Sequence, residues 1–268
     1  SKGLMNYKSI LNLIGILLAI FSFAFIPPLI VTFIYEEPLS EIFLYSFLFL
    51  ISLGGLMWFI SRQKGLPLNI SDGFIITTMF WVVLACAGSI PFYFFGLSFN
   101  DAIFESVSGI TTTGATLIVG LDDLPKSLLL YRQLLQWIGG MGLIILAVAV
   151  MPALGIGGSQ LYKMELPGSH GNQKLTPKIT DSAKALWKIY FGLTLACALL
   201  YILAGMDLFD AIAHSLSTVA GGGFSTHDKS IGFFDSGLIE AVCIIFMLLS
   251  AASFAVHYAA IFGGKPLR

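Results

Sequence analysis

Two similar stretches decide the fold: DAIFESVSGITTTGAT at residues 101–116 and DAIAHSLSTVAGGGFS at residues 210–225. They align at an offset of 109 residues, with five identities in the first eight positions and with Gly114 on Gly223. Each copy reads as a short helix followed by a loop rich in Thr or Gly, and apolar stretches lie on both sides of it. The repeated unit is therefore an apolar helix, a short helix, a loop and a second apolar helix.

The composition of the chain excludes most classes of soluble protein. Of its 268 residues, 57% are hydrophobic and only 11% are charged, whereas an ordinary soluble domain has about 25% charged residues. A soluble core of this size could not hide so much apolar surface. The net charge of −1 gives no basic surface for a nucleic acid. No nucleophile–base pair is recognisable, so we expect a membrane protein that is not an enzyme.

The gaps between charged residues predict how the chain crosses the bilayer. Eight stretches lack Asp, Glu, Lys and Arg, and six of them have 18 residues or more, near the roughly 20 that a spanning helix needs. The other two, 106–121 and 211–227, are shorter and rich in Thr, Ser and Gly, so we predict that they enter and leave on the same side. The six predicted transmembrane helices lie in 9–35, 42–61, 73–100, 133–162, 189–206 and 241–264.

The basic residues predict the orientation, because cytoplasmic loops carry an excess of Lys and Arg. With a cytoplasmic N-terminus and two re-entrant loops, 11 of the 14 basic residues lie on the cytoplasmic side, all except Lys126, Arg132 and Lys229. If either short stretch crossed the bilayer, the basic loops after it would move outside. The re-entrant loops therefore enter from the outer side, where 12 of the 15 acidic residues would attract cations.

The two re-entrant segments have the chemistry of a cation site. We expect Asp101 and Asp210 to cap short helices that end near Ile110 and Val219 and direct their partly negative ends toward the membrane centre. Backbone carbonyls along the loops could replace the water shell of a monovalent cation. The alternative is that these small residues only allow close helix packing. The candidate cation ligands are the carbonyls of Thr111, Thr112, Thr113, Gly114, Ala220, Gly221, Gly222 and Gly223.

A few further residues have two readings each. Arg132 could be an arginine at the interface that packs there or extends its charge into water, or form an ion pair with Glu105 that supports the first short helix. Gly139 and Gly140 could be a hinge or allow close packing. We interpret His214 as a polar contact of the second short helix, because His214 and Asp210 alone do not make a metal site.

Four motifs carry a resemblance to a known family: SGITTTGAT (108–116), YRQLLQWIGGMG (131–142), LGIGG (154–158) and STVAGGGFSTHD (217–228). On these motifs the whole chain resembles the Trk/Ktr/HKT superfamily of potassium transport proteins. The resemblance implies an all-α membrane fold with repeats like those of K⁺ channels, each of helix, pore helix, filter and helix. It also implies that Gly114 and Gly223 occupy the central filter positions, where Gly goes with selection of K⁺.

The resemblance divides the chain into four segments. Residues 1–68 would be two extra transmembrane helices, 69–153 the first pore repeat, 154–183 a cytoplasmic connection and 184–268 the second pore repeat. Members of the superfamily carry four such repeats around one pore, whereas this sequence has two. We expect either that it is the N-terminal half of a longer chain or that two chains complete one pore.

The resemblance also predicts the function and its setting. It implies potassium uptake across the bacterial inner membrane, gated by a cytosolic nucleotide-binding ring, the TrkA-like partner of this family, and a homodimer of full-length subunits. The 154–183 connection would be the docking surface for that ring. The alternative is an ion-coupled secondary transporter, or symporter, with its substrate at broken helices near the midplane. Repeats that run in the same direction favour the pore.

Overall fold

The computed structural model describes residues 7–62, 70–142 and 179–252, and within these ranges it contains helices and no β-strand. Short 3-10 helices lie at Phe23–Phe25, Leu121–Asp123 and Ser230–Phe234. The predicted 154–183 connection lies outside the described residues except for its last five. The α-helices are α1 (Tyr7–Ser22), α2 (Ile26–Ile34), α3 (Ser40–Ser61), α4 (Ile70–Gly88), α5 (Ile90–Phe95), α6 (Phe99–Ile110), α7 (Lys126–Gly140), α8 (Ile179–Leu203), α9 (Leu208–Ala220) and α10 (Gly237–Ala251).

Four helical segments are long and apolar enough to cross a membrane: Tyr7–Ile34, Ser40–Ser61, Ile75–Phe95 and Leu186–Leu203. They coincide with the first, second, third and fifth predicted spans. The fourth predicted span begins within α7 and the sixth within α10, and the rest of each lies outside the described residues. The prediction of an all-helical membrane fold is confirmed.

The described residues fall into two compact units. Those of Ser1–Ser106 and Gly142–Asn172 form the first, and those of Val107–Met141 and Gln173–Arg268 form the second. The second unit thus contains the end of α6, the loop after it and α7, together with the described helices of the second repeat. Both Thr- or Gly-rich loops therefore belong to one unit. The division into 1–68, 69–153, 154–183 and 184–268 rests on the repeat and stays a prediction.

Close packing of α1 on α3 organises the first unit. A Cβ atom built on Gly15 would lie 2.8 Å from the carbonyl oxygen of Gly54, and one on Gly54 would lie 2.7 Å from the backbone nitrogen of Ala19. Glycines at such a crossing let two backbones approach, which is how membrane helices gain packing energy without a hydrophobic driving force. The Asn12 side chain adds a polar contact, donating to the Ser61 hydroxyl at 3.3 Å.

The short helices α6 and α9 begin two residues before the predicted caps, so their true caps lie three residues earlier than predicted. Ser98 precedes α6 and its hydroxyl accepts from the backbone N–H of Asp101 at 3.2 Å, while Asp207 caps α9 by accepting from the N–H of Asp210 at 2.8 Å. The assignment of Asp101 and Asp210 as N-caps was therefore wrong. Both acids lie in the third position of their helix, where a carboxylate still favours the partly positive end.

We predict that replacing Gly54 by Ala destabilises the first unit, because the new methyl group would overlap the backbone of α1. Overpacking of this kind costs about 1–3 kcal/mol, which should lower the thermal unfolding midpoint of the purified protein in detergent. The matched control is Gly55→Ala, since a Cβ at Gly55 meets no atom within 4 Å. Equal midpoints for the two variants would contradict the proposed packing role of Gly54.

Candidate functional site

The loops that follow α6 and α9 share one backbone pattern. In the first, Thr112 and Gly114 have φ values of 53° and 79°; in the second, Gly221 and Gly223 have 67° and 82°. These left-handed residues coincide at the 109-residue offset of the repeat, and the residues between them do not have positive φ. Such conformations cost little for Gly but are uncommon for Thr. Because the same alternation occurs in both copies, the two loops share one geometry.

The amide groups of both loops bond back to the preceding helix, while the carbonyl groups stay unpaired. The N–H of Thr113 donates to the Ser108 carbonyl at 2.9 Å, and that of Gly222 donates to the Ser217 carbonyl at 3.0 Å. Within the described part of the chain, no hydrogen bond ends on a carbonyl oxygen of residues 111–114 or 220–223. Of these eight residues only Gly222 is buried, so most of the unpaired carbonyls are accessible to a hydrogen-bond donor or a cation, and such unpaired oxygens in two aligned loops indicate a binding site.

The two loops approach each other backbone to backbone. A Cβ atom built on Gly114 would overlap the carbonyl oxygen of Gly222, and one built on Gly222 would overlap the side-chain amide of Gln136. Gly222 is buried, whereas its neighbours Gly221 and Gly223 are exposed. The close approach therefore depends on the absence of a side chain at both Gly114 and Gly222.

Three polar residues of α7 are fully buried. Each of them forms a hydrogen bond with the backbone at the end of the second loop. Arg132 donates from Nη1 to the Ser225 carbonyl at 3.1 Å, and Gln133 donates from Nε2 to the Phe224 carbonyl at 3.3 Å. The Gln136 Oε1 atom accepts from the N–H of Phe224 at 3.1 Å. The Arg132 guanidinium also lies 4.4 Å from the centre of the Phe224 ring, within the range of a cation–π contact.

Arg132 contacts both loop regions, because its Nη2 donates to the Thr116 hydroxyl at 3.0 Å. Its complete burial excludes the reading in which its charge lies at the interface in water. Glu105 is also fully buried. Because Glu105 belongs to the first unit and Arg132 to the second, the ion pair between them stays a prediction.

His214 supports the second loop from the side of α9. It is the residue that aligns with Glu105, and it is 2% exposed. Its Nδ1 lies 2.9 Å from the carbonyl oxygen of Asp210, and its Nε2 lies 2.8 Å from the hydroxyl of Ser225. A backbone carbonyl can only accept, so Nδ1 donates and Nε2 accepts from Ser225. The interpretation of His214 as a polar contact of the short helix agrees with this geometry.

His227 joins the segments that follow the two loops. Its Nδ1 lies 2.5 Å from an Asp122 oxygen and its Nε2 lies 3.0 Å from an Asp210 oxygen. The hydrogen bond with His227 holds the pKa of Asp122 below its ordinary value of 3.8. Asp228 adds a second link, accepting from the N–H groups of Gly120 and Leu121 at 3.1 Å. Three of the predicted outer acidic residues therefore form part of the site's scaffold.

The glycines of α7 allow close packing. A Cβ atom on Gly139 would overlap the carbonyl oxygen of Ile110 at the end of α6, and one on Gly140 would lie 2.6 Å from the Tyr190 hydroxyl. These contacts favour the packing interpretation of the pair over the hinge.

The roles of Gln133 and Gln136 and the two links through His227 and Asp228 were not predicted from the sequence. One signal was available for the glutamines, since two buried amides and an arginine occur within one helix of a membrane protein, where polar groups need partners. Their partners lie about 90 residues away in the second repeat, and nothing in the pattern of α7 alone identifies them.

The sequence is similar to that of proteins in a known family. The sequence profile of a family described as TrkH, cation transport protein, matches residues 39–265. The Trk system potassium uptake protein TrkH of Vibrio parahaemolyticus is 51% identical over 97% of this chain and 54% of its own length. The TrkH of Escherichia coli K12 is 47% identical over 98% of this chain and 55% of its own length.

A solved structure agrees with these similarities. The crystal structure of the potassium transporter TrkH from Vibrio parahaemolyticus matches with a TM-score of 0.82 and 48% identity, over 96% of this chain and 52% of that one. The chain thus spans about half the length of the curated relatives it matches. With a family profile over most of its length and relatives near half identity, the chain belongs to the TrkH family of cation transport proteins.

Proposed function

We propose that this chain forms part of a potassium-selective pore and that the carbonyls of residues 111–114 and 220–223 are ligands of its ion filter. The observation that carries the proposal is the pair of aligned loops whose N–H groups, except that of Gly223, are hydrogen-bonded and whose carbonyls are not, within the described residues. Oxygen dipoles arranged along a narrow path can replace the hydration shell of a K⁺ ion. Potassium is then the cargo of the site.

The helices before the loops support the same function. α6 and α9 end at Ile110 and Ala220, directly before or within the proposed ligand segments. The C-terminus of a helix carries roughly half a negative charge, which favours a cation beside it. Selection among cations would then depend on the number and spacing of carbonyl oxygens, because the eight ligand residues carry no charged side chain.

The membrane setting and the partners complete the proposal. We infer an inner-membrane protein with a cytoplasmic N-terminus, because this orientation keeps 11 of the 14 basic residues inside. Two pore repeats supply half of the filter loops that the four-repeat architecture requires. A homodimer of full-length subunits and gating by a TrkA-like nucleotide-binding ring through residues 154–183 belong to the same proposal.

The second candidate is a symporter that couples potassium to another ion. Rubidium or potassium flux into liposomes that contain the full-length protein distinguishes the two. We predict that flux down a potassium gradient persists when no proton or sodium gradient is present, because carbonyl sites exchange ions without a coupled partner. Flux that requires either gradient would instead favour the symporter.

We predict that Gly223→Ser lowers the K⁺ over Na⁺ permeability ratio of the full-length protein. Gly223 has a φ of 82°, and a Cβ there meets no atom within 4 Å, so Ser fits but strains the backbone that orients the neighbouring carbonyls. A loss of about 1.4 kcal/mol in relative ion coordination changes the ratio roughly tenfold. The measurement is the reversal potential under bi-ionic conditions in a planar bilayer.

The matched control for this variant is Gly205→Ser. Gly205 has a φ of 101° and similarly open space around its Cβ position, but it lies between α8 and α9, outside the proposed ligand segments. It imposes the same kind of backbone strain without touching the filter, so its permeability ratio should stay at the wild-type value. An unchanged ratio in Gly223→Ser, or an equal loss in Gly205→Ser, would remove the loop from the selection of ions.

A double-mutant cycle tests the predicted ion pair of Glu105 and Arg132. Glu105→Gln, Arg132→Met and the double variant are compared by thermal unfolding in detergent. Two buried charges that pair should show a coupling energy of at least about 1 kcal/mol, since each single variant leaves an uncompensated charge behind. Additive effects of the two substitutions would refute the pair and leave Arg132 with its contacts to Thr116 and Ser225.

A further inference from the structure

Gln136 makes the most extensive contact with the second loop from outside it. Its Oε1 accepts two hydrogen bonds, from the Ser217 hydroxyl at 2.7 Å and from the N–H of Phe224 at 3.1 Å. These donors lie on either side of the proposed ligand segment 220–223. The same amide lies against Gly222, with no room for a Cβ between them. Gln136 thus contacts the start, the middle and the end of this loop.

The orientation of the Gln136 amide follows from its partners. The N–H of Phe224 can only donate, so the atom facing it must be the oxygen. The Nε2 atom is then buried without a hydrogen-bond partner among the described residues. An unpaired buried amide is unfavourable, so stability alone gives little reason for Gln over an apolar residue here. The two accepted bonds are what distinguishes Gln from Leu at this position.

The described part of the second repeat has no equivalent of this support. Helix α10 is the counterpart of α7, and the positions that align with Arg132, Gln133 and Gln136 are apolar whether the offset is 109 residues, as in the loops, or 111 residues, as between the helix starts. These positions are Ala241, Val242 and Ile245 in the first alignment and Cys243, Ile244 and Met247 in the second. The polar support is therefore a specific feature of α7.

We propose that Gln136 is a positioning residue that determines ion selectivity. Its side-chain oxygen fixes the Ser217 and Phe224 ends of the second filter loop, and its amide blocks movement of Gly222 toward α7. This inference rests on the proposed filter function of residues 220–223. Gln136 acts from behind the loop, through the backbone that it holds, and the loop carbonyls remain the ligands of the ion.

The test compares Gln136→Leu with Gln136→Glu in the full-length protein. Leu has a similar size but no acceptor, so the K⁺ over Na⁺ permeability ratio should fall by roughly threefold or more, while the amount of protein in the membrane stays near that of the wild type. Glu keeps an accepting oxygen in either protonation state and should restore most of the ratio. A ratio for Gln136→Leu that equals the wild type, or for Gln136→Glu as low as for Leu, would overturn the proposal.

Two further variants separate positioning from general loosening of the structure. Ser217→Ala removes one of the two donors from the other side and should lower the ratio in the same direction, which keeps the proposal testable if Gln136→Leu does not reach the membrane. Trp137→Phe is the matched control, because it removes a hydrogen bond of the same helix to Thr194 at 3.0 Å, away from the loop. An unchanged ratio in Ser217→Ala, or an equal loss in Trp137→Phe, would contradict the role of Gln136.

The outcome for Gly223→Ser distinguishes this inference from the proposed function. If Gly223→Ser leaves the ratio unchanged, the filter assignment fails and the Gln136 proposal fails with it. If Gly223→Ser relaxes selectivity and Gln136→Leu does not, the filter stands and only the positioning role is lost.

Discussion

The unpaired carbonyls of the two loops impose the constraint on which the rest of the second unit depends. In a membrane a free backbone oxygen has no water to bond to, so irregular backbone is tolerated only where protein or a water-filled path surrounds it. A loop whose carbonyls stay unpaired cannot use them to stabilise itself. Its conformation must be stabilised by hydrogen bonds of its N–H groups, by residues with positive φ and by side chains of neighbouring helices.

The described contacts meet this constraint in three ways. The preceding helices α6 and α9 accept the loop N–H groups, the polar residues of α7 hold the second loop, and His227 and Asp228 join the segments beyond both loops. Most of these contacts link the first repeat to the second. Within the second unit, contacts between residues about 90 to 110 positions apart in the sequence therefore join the regions of the two loops.

Much of this arrangement could be predicted from the sequence, because it follows from local patterns. Uncharged stretches predicted four of the spans. The 109-residue offset predicted two equivalent loops, and the residues with positive φ occur at equivalent positions of the two. The cap positions were wrong by three residues, since an acid in the third position of a helix has the same sequence signature as a cap. Gln136 could not be assigned, because its role depends on a contact with residues more than 80 positions away, which no local pattern records.

The crowding around Gly222 limits which residues could change if the ion preference of related proteins were to differ. With Gln136 on one side and Gly114 near its carbonyl, Gly222 admits no side chain, so the separation of the two loops is fixed by backbone atoms that every amino acid shares. Any substitution at Gly222 would therefore disrupt the loop. Under the proposed filter function, an adjustment of ion preference at Gly222 would have to come from the residues that pack against it, such as Gln136, whereas Gly223 has room for a side chain of its own.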